Sequence, residues 1–298
     1  MAAGPPPSPG SRGVVELFRA LAALAEPPGP EQVRIGAVLG LPGSPDPAQY
    51  TEVFLFQLYP YAAVHAGAEG MLGGEAQDRV AGFWRALHRT PPAEPDHLTS
   101  LLALYAALAD QEDAEPDPAY RLLWGRSRKA LLWEHLACWV FPYLDKLGEI
   151  APPFYAAWGK MLAAALEAEL NTVGRGDTLP LHLRAAPPLP DPRNGGSEVF
   201  LQGILAPVRS GMLLVRSDLT RAARSLGLGL RMGERRFALT SLLSQDSEGT
   251  LGWLAAEASG WEQRHLTRAA VQAGTGEIAR FWAHRAGTAA ALLTALRS

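Results

Sequence analysis

The stretch Glu94–Asp110, EPDHLTSLLALYAALAD, decides the fold class. Leu98, Leu101, Leu102, Tyr105, Leu108 and Ala109 recur three and four residues apart, which is one face of a helical repeat. Pro95 suits the first helical position, where its missing N–H would have had no partner. That start places Asp96 and His97 in the first turn, where the positive end of the helix dipole favours an ionised carboxylate and a neutral imidazole. Such a pair at a helix mouth suits a donor–acceptor contact better than base catalysis. The plain alternative is a helix start with an incidental histidine.

Working outward, every long element reads as helix. Val14, Leu17, Phe18, Leu21 and Leu24 mark a first helix that stops at Pro27 and Pro28, and a short second one covers Glu31 to Leu39. Tyr50 to Tyr61 carries another apolar face, interrupted by Pro60. Val80, Phe83, Trp84 and Leu87 mark the next. A long helix opens after Pro118 and runs to about Lys146, and its stretch ALLWEHLACWVFP, residues 130–142, is apolar on every side, the signature of a central, enclosed helix. Glu134 and His135 stand out there, because a buried charge without a partner costs several kcal/mol or more. One more amphipathic helix, Pro153 to about Leu170, closes this half. The expected class is all-α, a helical bundle with an additional C-terminal helical region.

The organisation expected is a disordered Pro/Gly/Ser-rich amino terminus over 1–12, a helical domain over 13–171, a Pro/Gly-rich linker over 172–197 and a C-terminal helical extension over 198–298. The net charge of −3 gives no global attraction to nucleic acid. A single cysteine, Cys138, excludes an intrachain disulfide and fits a reducing compartment. No secretory h-region opens the chain and no uncharged apolar run reaches the roughly 18 residues a membrane span needs, so a cytoplasmic protein is expected.

Catalytic and metal motifs are weak. No G-x-S-x-G elbow occurs, and Cys138 sits among tryptophan and phenylalanine, which blunts a thiol. Glu134, His135 and Cys138 could share a helix face, the basis of a minor reading as a metal-dependent enzyme, but paired zinc-ligand spacing is missing. Gly227, Gly229 and Gly233 miss the dinucleotide fingerprint by one residue. Ser217 to Leu243 places Ala223 and Gly227 at helix-turn-helix separation among many arginines, which keeps a DNA-binding regulator as the main rival.

Three fragments in order, LYP at 58–60, EPDHL at 94–98 and WEHLACWVFPYLDKL at 133–147, resemble the TorD/DmsD/NarJ family of cytoplasmic molybdoenzyme maturation chaperones, over about residues 45–170. The resemblance implies an all-helical, non-catalytic chaperone that binds the apo catalytic subunit of a molybdopterin oxidoreductase, or its twin-arginine signal peptide, until the cofactor is loaded. It implies that Asp96 and His97, within Glu94-Pro95-Asp96-His97, lie in the signal-peptide-binding region, with Tyr59 and Pro60 as structural or groove-lining positions. Guanine-nucleotide binding is a proposed property of some members, and no phosphate loop here supports it. No metal is expected. From the chemistry of a twin-arginine peptide, Asp96 and Glu134 are candidate guanidinium acceptors, and Tyr59, Trp133 and Trp139 candidate groove walls. Monomer and homodimer both remain open. The chain departs from the family in carrying about 100 further residues beyond 197.

Overall fold

The structure is a computed structural model that describes residues 9–230, 233–272 and 274–297. Helix α1 (Pro9–Ala23) is followed by α2 (Pro30–Val38) and by the short α3 (Pro47–Tyr50), which runs directly into a π-helical turn at Thr51–Gln57. Next come α4 (Ala62–Ala66), α5 (Gly74–Ala86) and α6 (Leu98–Ala114). The helix α7 (Pro118–Ala130), a second π-helical stretch (Leu131–Ala137) and α8 (Cys138–Ile150) form one unbroken rod, against which α9 (Pro153–Val173) packs. The rest comprises α10 (Leu181–Ala185), α11 (Pro192–Gly195), α12 (Ser197–Leu205), α13 (Pro207–Ser210), α14 (Arg216–Leu226), α15 (Arg235–Gln245) and the long antiparallel pair α16 (Ser247–Val271) and α17 (Gly276–Ala295). Among the described residues no strand forms, and the all-α class holds.

The apolar run in the rod has the consequence expected of it. From Leu131 to Leu147 nearly every side chain is buried, Glu134 being the exposed exception. Pro142 sits inside this helix and has no N–H, so the Cys138 carbonyl one turn earlier loses its ladder partner. The π-helical stretch just before Cys138 loosens the rod where the proline ring crowds it. The missing donor comes from the far end of the chain: the indole N–H of Trp282, on α17, reaches the Cys138 carbonyl at 3.0 Å.

A second tie lies one turn along. Lys146 is fully buried, and its ammonium donates to Asp218 at 3.1 Å and to Glu149 at 3.0 Å. Left alone, a cation in that position would cost several kcal/mol. Asp218 also accepts the Val215 N–H at 2.9 Å and so caps α14. One apolar core consequently runs from Val15 in α1 to Leu293 in α17. Gly211, which ends α13, is part of this fit: its φ is +75°, and a Cβ there would lie 2.1 Å from the Ala286 backbone nitrogen.

Two expectations about organisation change. Residues 172–197 are a packed strap and not a free linker. Leu183 and Leu189 are buried, Trp133 donates to the Thr178 carbonyl at 2.9 Å, and Arg285 of α17 donates to the Ala186 carbonyl. The prolines stop this segment from forming a long helix but leave its leucines able to reach the core. Of the amino terminus read as disordered, residues 1–8 lie outside the described residues, while α1 already begins at Pro9.

Removing the donor from the α8–α17 contact tests this account. Trp282→Phe should cost about 1–3 kcal/mol in urea unfolding, because a buried carbonyl is left unpaired. Adding Pro142→Ala, which restores an N–H within the rod, should recover part of that loss. Strictly additive effects of the two substitutions would show that Trp282 does not compensate for the proline.

Candidate functional site

The three sequence fragments meet at one place. After the first π-helical turn, Leu58–Tyr61 leaves helical geometry and lies beside Asp96–His97, with Ala62 N–H donating to the Asp96 carbonyl at 3.0 Å and Leu98 N–H to the Pro60 carbonyl at 2.8 Å. This pairing holds His97 extended after a turn over Glu94–His97, closed by the His97 N–H on the Glu94 carbonyl at 3.3 Å, so α6 begins at Leu98 and not at Pro95. His97 is the cap residue, its Nδ1 accepting the Thr99 N–H at 3.2 Å. Accepting at Nδ1 requires that nitrogen to be unprotonated, and burial lowers the His97 pKa, so the neutral form expected from the helix end is favoured. The Tyr61 ring stands edge-on to the His97 ring at 4.8 Å.

Asp96 is wholly buried, and its side chain accepts the Ala63 N–H at 2.9 Å, capping α4 from a distance of 33 residues along the chain. Burial raises its pKa, and the Ala63 N–H opposes that rise. In this arrangement Asp96 offers no surface to an arriving arginine, contrary to the expectation that it would. Pro60 and Pro95 are likewise buried, whereas Glu94 is exposed. The third fragment forms the floor beneath the Leu58–Tyr61 turn. Trp139 stacks on His65 with ring centres 5.2 Å apart and planes 3° apart, and His65 Nε2 donates to the Tyr59 carbonyl at 2.8 Å. Trp139 is fully buried and Trp133 nearly so, tied to the strap, so neither walls an open groove as expected. Glu134 points to solvent while His135 and Cys138 are buried, which separates the three candidate metal ligands. Burial lowers the His135 pKa to about 4 and pushes the Cys138 thiol up to about 12. Among the described residues no group of three or more such side chains is placed to hold a metal.

Of the expected site residues, Tyr59 does line a cleft. A cavity of about 410 Å³ opens between Phe56, Tyr59, the Glu69–Met71 turn, Leu205 of α12 and the arginines 216, 235 and 236. It shares Phe56 and Arg216 with a groove of about 500 Å³ between the first π-helical turn and α14, lined also by Glu52, Gln57, Leu219, Arg224, Leu230 and Ala238. Phe56 and Met71 are 47% and 61% exposed, so the rim is apolar. The Arg216 guanidinium lies 5.8 Å over the Phe56 ring. Sequence reasoning missed these residues as a site, although the arginine-rich run after Arg216 was its signal. That run is not a helix-turn-helix: residues 227–234 separate α14 from α15, where the motif uses a turn of about three or four residues. Leu219, Ala222, Leu239 and Leu242 are committed to the common core.

Residues 47–144, about a third of the chain, match the model of a family described as nitrate reductase delta subunit. The Tyr59 turn and the Glu94–His97 tetrapeptide fall inside this stretch and the third fragment begins inside it, so the family resemblance read from the residues is borne out there. The match includes the first wall of the groove, Glu52 to Gln57, and stops before the second, α14 and α15. A search of curated proteins gave no match. No helix among the described residues is long and apolar enough to cross a membrane.

Two measurements check the structural role of the fragments. Asp96→Ala should lower stability by about 1–3 kcal/mol, since the buried Ala63 N–H loses its acceptor. Asp96→Asn, which keeps an acceptor oxygen, should lose much less, and equal losses would argue against the cap. The second concerns acid. Burial lowers the His65 pKa from 6.5 to about 4, so as pH falls the unfolded chain takes up the proton first; this contribution is full above about 6.5 and lost on the way to about 4. At pH ~5 the loss should be on the order of 2 kcal/mol. His65→Gln should flatten that part of the pH dependence of the urea midpoint.

Proposed function

We propose that the chain is a non-catalytic maturation chaperone that holds the apo catalytic subunit of a molybdopterin oxidoreductase until its cofactor is inserted. The observation that carries this reading is the match of residues 47–144 to the nitrate reductase delta subunits. The convergence of its three sequence fragments on one structural turn supports it. A chaperone of this kind needs a rigid frame and an open, partly apolar surface, and the clasped Tyr59 turn beside the exposed Phe56 and Met71 supplies both. The role calls on no resident metal or nucleotide, and it acts in the cytoplasm, where an apo subunit is loaded.

The bound element is a segment of the catalytic subunit itself in this reading, because, of the two carboxylates expected to meet a twin-arginine signal, Asp96 is buried, which leaves Glu134 as the exposed one. Affinity capture of the full chain from its native host, with partners identified by mass spectrometry, should recover a molybdopterin oxidoreductase catalytic subunit. Capture should fall when that subunit has already received its cofactor. Recovery of DNA fragments in place of an oxidoreductase would overturn the reading.

A further inference from the structure

The groove between the first π-helical turn and α14 has a charge pattern that identifies what fits it. Five arginines line the groove and its adjoining cleft, and two of them are already committed. Arg221 pairs with Asp218 at 2.9 Å and with Glu257 at 3.1 Å, and Arg236 pairs with Glu198. Arg216, Arg224 and Arg235 have no carboxylate partner among the described residues; Arg216 rests on Phe56, and Arg235 donates to the Leu214 carbonyl at 2.7 Å. On the opposite wall Glu52 accepts from Gln57 at 2.7 Å, and Gln57 in turn accepts the Ser217 N–H at 3.1 Å, which ties the two walls together. Glu52, Glu69 and Glu234 also line the two cavities without pairing with these arginines, and between them runs an apolar lining of Phe56, Leu219, Leu230 and Ala238. Guanidinium groups around an apolar trough match carboxylates flanking apolar side chains.

We propose that this groove docks an acidic amphipathic segment of the client polypeptide, its carboxylates meeting Arg216 and Arg224 and its apolar side chains lying on Phe56 and Leu230. The proposal rests on the chaperone reading for the identity of the client, but the chemistry of the groove stands by itself. Half of the docking surface belongs to α14 and α15, so the extension contributes to client recognition directly. A twin-arginine sequence would meet like charge here.

The test uses the full chain and two labelled peptides of about 16 residues, one a Glu/Leu amphipathic helix and the other its Lys/Leu counterpart, followed by fluorescence anisotropy. The Glu/Leu peptide should bind, and the Lys/Leu peptide should not. Arg216→Glu with Arg224→Glu should weaken binding at least tenfold, as should about 0.5 M salt, which screens such contacts. Arg224 is exposed and has no ion pair among the described residues, so Arg224→Glu alone serves should the double variant melt early. Equal binding of both peptides, or unchanged affinity in a folded variant, would overturn the proposal. Peptide binding with this charge dependence but no oxidoreductase in affinity capture would uphold the groove and remove the chaperone reading. Undiminished capture of an oxidoreductase by the folded double variant would place the client elsewhere.

Discussion

A proline in the middle of the most enclosed helix is the constraint around which this structure closes. Pro142 removes a donor at a depth where water cannot replace it, and an unpaired carbonyl there costs roughly 1–3 kcal/mol. Trp282 answers that deficit from 144 positions away along the chain. Its indole also fills space beside the rod, so one side chain contributes a hydrogen bond and a large apolar area at once. The Lys146–Asp218 pair repeats the pattern one turn further on, a buried group of α8 satisfied from the extension. Together they tie α14 and α17 into the interior of the rod.

The three sequence fragments acquire a physical meaning from their geometry. Asp96 and the backbone around it fasten the Tyr59 turn from one side, and His65 on Trp139 fastens it from below. These residues are frame. What the frame presents is Phe56, Tyr59 and Met71, at the rim of a cleft whose other side comes from the extension. Open rim and rigid frame are therefore supplied by residues that lie next to one another in space.

Much of the fold was legible from periodicity: the apolar faces of α1, α6 and α9, and the all-round apolar character of the rod, each fall where the spacing puts them. The start of α6 was not, because the pairing that holds the turn at Asp96 and keeps His97 extended comes from Pro60 and Ala62, far away in sequence. The same distance hid the burial of Asp96, whose carboxylate reads as a recognition group until Ala63 is seen to occupy it. Residues 172–197 read as linker because prolines suppress helical spacing, while the anchoring contacts of Thr178 and Ala186 use backbone carbonyls, which carry no side-chain signature. The arginines after Arg216 were visible as a cluster. Their division into paired and unpaired groups depends on Glu198, Glu257 and Phe56, which no local window contains.

The position of Trp282 also governs the order in which the protein can be completed. Synthesis runs from the amino terminus at about 5–20 residues per second, so the rod leaves the ribosome several seconds or more before α17 does. During that interval only water can donate to the Cys138 carbonyl, and the flank of α8 that α17 will cover is bare. The nascent chain thus passes through a stage with apolar surface exposed beside a half-built groove, and closure waits on α17.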